Sequence, residues 1–198
     1  MMSVPMCAAG RWNGCLGTFT GVALIAMAAL PLAALAVWAL AHRRRGAGAT
    51  PARAWRMSLA EVGIVYGTVP WVWMTMLPGA GAGVVPGRVS LVPLRDLATM
   101  GTGQIVGNLV VFAALGFFAP VRFAALASVP RALALAAGCS VLVEVAQYVL
   151  WLDRVSSVDD VLLNTAGAGL AALASRGWWR GTPKAPSDRP RRALASAP

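Results

Sequence analysis

Charge is what this chain has least of. Only 12% of its 198 residues are charged, about half the roughly 25% usual for a soluble domain. Histidine occurs once, at His42, and the cysteines Cys7, Cys15 and Cys139 share no CxxC spacing. A zinc site needs three or four such ligands close together, so that class is excluded and no cofactor is named by the sequence. Cys139 lies in an apolar run and reads as a small buried residue. No GxSxG, Walker loop or HExxH is present, which leaves the familiar hydrolase and nucleotide signatures unsupported. Acidic residues are scarcer than basic ones, 7 against 17. The arginines fall in short clusters between apolar segments rather than along a basic groove, which argues against a nucleic-acid partner.

What the chain has is apolar length. Hydrophobic residues make up 58% of it and the mean hydropathy is +0.68, the composition of an integral membrane protein. The fold class expected is all-α, a polytopic membrane helix bundle of about five transmembrane helices, multi-pass in the cell membrane. About 20 apolar residues cross the hydrocarbon. The spans read as 18–41, 60–78, 104–120, 132–152 and 159–175. The first is a retained anchor rather than a cleaved signal, because its positive charge, His42 to Arg45, follows the apolar run instead of preceding it. Residues 42–59 form a basic Gly/Ala-rich linker, and GAGAGVVPG opens a loop over 79–103. Three regions result: 1–59, the anchor and linker; 60–175, the main membrane domain; and 176–198, a basic, proline-rich tail whose composition suits a disordered cytoplasmic segment. With the amino terminus outside and the carboxy terminus inside, thirteen of the 17 basic residues are cytoplasmic, and only Arg11, Arg88, Arg95 and Arg154 are not. That is the positive-inside bias.

Against this background the polar residues of the last two spans stand out. EVAQYVLWLDRVSSVDDVLLNTAGAG, Glu144 to Gly169, sets ionisable groups and amides in a helical hairpin. Such groups at membrane depth cost several kcal/mol unless paired or hydrated. Glu144, Gln147 and Tyr148 share one helix face at i, i+3, i+4, and Asp160 and Asn164 share another at i, i+4. At about 1.5 Å per residue, Asn108 lies roughly 6 Å below the outer surface, Asn164 roughly 7 Å and Glu144 roughly 12 Å. The expectation is one shallow outward pocket with Arg154 at its mouth. Each residue also has a plain structural use. Ser157 can cap the last helix, Asp159 and Asp160 suit its amino-terminal dipole, and Asn108 and Asn164 can join helices. Glu61 reads as solvated. Gly167 and Gly169, with Ala166, Ala168, Ala171 and Ala172, read as a close-packing face that would also serve a homo-oligomer.

Three motifs in order carry a family resemblance. NLVVFAALG (Asn108 to Gly116), ExxQ (Glu144, Gln147) and RVSSVDDVLLNTAGAG (Arg154 to Gly169) resemble the VanZ-like family pattern N-x-x-x-F-x-P-x-G, E-x-x-Q and R-x-x-x-x-D-D-[VIL]-x-x-N-x-x-G. TMLP (Thr75 to Pro78) and LVPL (Leu91 to Leu94) match weaker signatures, and the resemblance covers about 60–175. Ala114 replaces the pattern's proline, and Ser157 stands where many relatives carry another aspartate. The resemblance implies a bacterial cell-envelope membrane protein. The founding member is associated with resistance to the glycopeptide antibiotic teicoplanin, without a settled biochemical activity.

Two functions compete. In the first, the pocket binds, and in an enzymatic version modifies, a lipid-linked envelope precursor or another membrane lipid. Glu144 is then the general acid or base. Asp159 and Asp160 hold a substrate hydroxyl or a cation, and Arg154 pairs a phosphate. Asn108, Gln147, Asn164 and Tyr148 bind and orient. In the second, an accessory protein holds a partner helix or a lipid in the same pocket without chemistry. A transporter fits less well, because five spans without an internal repeat offer no alternating-access architecture.

Overall fold

In a computed structural model, residues 17–179 are described. Cys7, Cys15, Arg11 and nearly all of the basic tail lie outside them. Helix α1 is Phe19–Gly46 and α2 is Pro51–Thr75. Strand β1 is Arg88–Ser90; α3 is Thr102–Val111 and α4 is Ala113–Arg122. Helix α5 is Val129–Val149, β2 is Val155–Ser157 and α6 is Val158–Ser175. The helices succeed one another as antiparallel rods, with α3 and α4 forming one rod interrupted at Phe112.

Three rods are long and apolar enough to cross a membrane: Phe19–Gly46, Thr102–Arg122 and Val129–Val149, with hydropathies of 2.3, 1.8 and 1.7. The other two are more polar for different reasons. Helix α2 starts nine residues before the expected span, at Pro51 behind the Thr50 cap, so Arg53 and Arg56 lie on helix rather than in a linker. Proline at the first helical position loses no bond there and is already set for helix. Of the expected 42–59 linker, only 47–50 is non-helical. Helix α6 is the interior helix, packed against α3, α4 and α5. Gly167, Ala168, Gly169 and Ala172 are buried there. A Cβ on Gly167 would strike the Leu109 carbonyl, and one on Gly116 the backbone of Ala168. The small-residue face of α6 is thus filled by the chain's own helices.

Helix α1 packs chiefly on α2, where the Tyr66 hydroxyl donates to the Ala26 carbonyl at 2.7 Å. Glu61 is not merely solvated: its two oxygens take Arg44 from α1 and Arg122 from α4, each at 2.5 Å. One carboxylate therefore ties three helices at the arginine-rich end.

The opposite end holds the long connections, and it differs most from expectation. DRVSSV is not a plain loop. Its Val155–Ser157 pairs in parallel with Arg88–Ser90, in register Arg88 to Val155, Val89 to Ser156 and Ser90 to Ser157. The glycine-rich segment wraps the turn after α5: Gly79 N donates to Leu152 O at 2.9 Å, Gly83 N to Trp151 O at 2.9 Å, and Gly81 N to Asp153 Oδ2 at 2.9 Å. A Cβ on Gly79 or Gly81 would run into Asp153, which is why glycine alternates here. The turn itself is strained, with Trp151 and Asp153 at φ 51 and 53.

Candidate functional site

Glu144, Gln147, Tyr148, Arg154, Asp159 and Asp160 lie toward this connected end, but their side chains do different things. Asp159 is 1% exposed. Its carboxylate accepts three backbone N–H groups from the loop before α3: Leu94 at 2.6 Å, Asp96 at 2.9 Å and Leu97 at 3.0 Å. Leu94 has φ 65, a cost the Asp159 bond offsets. Ser157 caps α6, its hydroxyl accepting from Asp159 N at 3.2 Å, and donates to Asp96 Oδ2 at 2.6 Å. The Ser157 and Ser90 hydroxyls hold the Asp96 carboxyl below its ordinary range. These residues fasten the loop to the amino terminus of α6.

The neighbouring carboxylates face elsewhere. Asp160 is half-buried and accepts from Asn108 Nδ2, joining α6 to α3. Glu144, buried on α5, accepts from Ser157 N at 3.0 Å, and its carbonyl accepts the Ser156 hydroxyl at 2.9 Å. Arg154 is half-buried, with Nε donating to Leu77 O at 3.2 Å. Its charge acts on both Glu144 and Asp160. A cation whose field reaches two carboxylates, all partly withdrawn from water, is the electrostatic centre of this end.

The expected single pocket divides in two around Arg154–Ser157. A cleft of about 450 Å³, the more polar of the two, lies where α2 ends beside α3; Thr75, Gln104, Asn108 and Arg154 line it, with Phe19, Trp71, Met74 and Val111 as apolar walls. A second pocket of about 320 Å³ is almost wholly apolar and has Glu144 and Tyr148 in its wall. Both are of ligand-binding size, roughly 300–1,000 Å³. Gln147 and Asn164 are buried and bonded: Gln147 Nε2 donates to Thr75 O at 2.9 Å, and Asn164 Nδ2 to Ser140 Oγ at 2.8 Å. Asn164 Oδ1 is buried without a partner.

Sequence reasoning missed Asp96, Ser156, Ser140 and Gln104. Asp96 stands in a loop whose return to α6 no local pattern announces. Ser140 is one turn before Glu144 on α5, a spacing that could have found it. No group of three or more His, Cys, Asp or Glu side chains able to share a metal ion occurs among the described residues.

The family described as VanZ/LLP1 matches residues 64–179, more than half of the chain. That stretch holds the apolar pocket and all of the cleft's lining except Phe19 of α1. No curated protein and no solved structure matches.

Proposed function

The chain belongs to the VanZ/LLP1 family and is a membrane protein; from that premise we propose that its polar cleft binds, and modifies, the headgroup of a lipid-linked molecule at the outer face of the bacterial cell membrane. The protein is multi-pass, with the connected end outside. Most described arginines, Arg43, Arg44, Arg45, Arg53, Arg56, Arg122, Arg131 and Arg176, lie at the other end, the distribution of a cytoplasmic face. The observation that carries the binding reading is Arg154. It lines a cleft with Asn108 and Gln104 and lies in the fields of Glu144 and Asp160. A guanidinium there suits a phosphate, and amides beside it suit hydroxyls.

In the enzymatic version Glu144 and Asp160 supply the proton-transfer groups and Arg154 holds the anionic part of the substrate. A link to glycopeptide resistance belongs to the same reading, since a protein that alters a lipid-linked envelope molecule changes what such antibiotics meet. The test compares envelope lipids by mass spectrometry in cells lacking the protein, cells with the wild type, and cells with Glu144→Gln at matched membrane abundance. A species that changes in both the null and the variant is the expected result. Envelopes altered in the null but normal in the variant would remove Glu144 from the chemistry.

A binding protein without chemistry is the second reading, and it is favoured by the use of both Asp159 oxygens, and of the Gln147 and Asn164 amide nitrogens, in structural bonds. An envelope unchanged in all three strains, with a lipid co-purifying with the protein, would establish it.

A further inference from the structure

The apolar pocket beside the cleft is unexplained by headgroup binding. It is walled by Val89 from β1, Leu91 beyond it, Val141 and Val145 from α5, and Val161 from α6, with Glu144 as its one carboxylate. The outer walls are exposed: Val89 53%, Leu91 76%, Val141 48% and Val145 52%. Glu144 itself is 8% exposed. One of its oxygens takes the Ser157 N–H. The Ser156 hydroxyl lies against the carboxylate too, but its single proton goes to the Glu144 carbonyl. The second carboxylate oxygen therefore has no hydrogen-bond donor among the described residues, and it is not sealed off, since it is absent from the buried unpartnered atoms. A carboxylate oxygen on a largely buried side chain, open to the pocket and without a protein donor, is left for a molecule in the pocket to satisfy.

We propose that this pocket holds the head-proximal part of a lipid chain, and that the lipid carries a free hydroxyl next to that chain, donated to Glu144. This rests on the reading that the site takes a lipid-linked molecule, and it narrows the class to one with a hydroxyl at the junction of chain and headgroup. The chain lies against the valines, the hydroxyl reaches Glu144, and an anionic headgroup reaches Arg154. Arg154 is three residues from Ser157 along an extended strand, about 10 Å at roughly 3.3 Å per residue. A phosphate and the neighbouring hydroxyl of one small polar head lie only about half that far apart, and the long Arg154 stem covers the remainder. A diacyl lipid, with both backbone oxygens esterified, has no such donor.

The test uses the full chain in phosphatidylcholine nanodiscs. The probes are a monoacyl lysophosphatidic acid, which has the hydroxyl, and the diacyl phosphatidic acid, which lacks it. Lysophosphatidic acid should bind about tenfold more tightly or better, a difference of about 1.4 kcal/mol. Val145→Trp fills the pocket from its exposed wall and should cut that binding by about tenfold, and Val141→Trp should do the same from one helical turn away. Arg154→Gln reports on the cleft separately. If Arg154→Gln weakens binding while both tryptophan variants bind as wild type, the pocket inference falls and the cleft reading stands. If the tryptophan variants weaken binding and Arg154→Gln does not, the pocket stands and the cleft reading falls. Equal affinity for the two probes overturns the hydroxyl requirement.

Discussion

Asp159 and Asp160 are adjacent in sequence and opposite in employment. Asp159 is enclosed and spends both oxygens on three backbone N–H groups, whereas Asp160 is half-buried with Asn108 as its one side-chain donor. Hydrogen bonds to a charged group contribute about 1.5–3 kcal/mol each, and an amide in place of the carboxylate would set an NH2 against backbone N–H. Asp159→Asn should therefore destabilise the protein by about 3 kcal/mol and expose residues 88–100 to protease. Asp160→Asn should cost less than about 1 kcal/mol of stability while lowering lipid binding. Chemical unfolding in detergent separates the two, and equal losses would contradict this division. Asp96 gives the pH dependence of the same loop. Its carboxyl is held below the ordinary 3.8 by Ser157 and Ser90. A native value below the unfolded one contributes stability that is present above the unfolded value and lost as pH falls through the native one. The protection factors of the Leu94, Asp96 and Leu97 amides against hydrogen exchange, taken relative to the intrinsic rate at each pH, should be high and constant from neutral pH down to about 4, and should fall below that. A fall beginning near pH 6 would point to a different group.

The helices were largely legible because apolar runs of spanning length mark them, and Ser157 before two aspartates marks the start of the last. The start of α2 was not, because Arg53 and Arg56 look like a linker until Pro51 is read as a helix start. Strands β1 and β2 were invisible for a different reason. Three-residue strands 65 or more positions apart are selected by tertiary pairing, and RVS and VSS hold no alternation long enough to register. The glycines of the packing face were legible as a type, and their partners only in three dimensions. Gly167→Ala must move α6 off the Leu109 carbonyl, and Gly116→Ala must move α4 off Ala168. Overpacking of this kind costs about 1–3 kcal/mol. Gly138→Ala, with nothing within 4 Å of its new methyl, should instead be neutral or stabilising by up to about 1 kcal/mol, since alanine suits helix better. Thermal melts of the three variants decide it, and a destabilised Gly138→Ala would count against the packing described for α5.

At the scale of the whole molecule, the sequence gathered its polar residues at one end of the bundle and into one pocket, whereas that end has two recesses. Helical periodicity gives depth and face, so Asn108, Glu144, Arg154 and Asp160 could be gathered in advance. It gives no account of a long connection folding back, and the return of 88–97 onto Ser157 and Asp159 is what divides the space. That same return makes the two ends unequal: one is a set of helix termini crowded with arginine, the other a bonded cap of loops and strands. Lys and Arg near span ends resist translocation, so the arginine-rich end should remain cytoplasmic and the cap should face outward. Single cysteines at Gly83 and at Ala47, in a chain with Cys7, Cys15 and Cys139 replaced by serine, test this with a membrane-impermeant maleimide on intact cells. Gly83→Cys should label at once. Ala47→Cys, in the turn between α1 and α2, should label only after the membrane is opened. The reverse pattern would place Arg154 and both recesses on the cytoplasmic side, and the ligand would then have to be sought among inner-leaflet lipids.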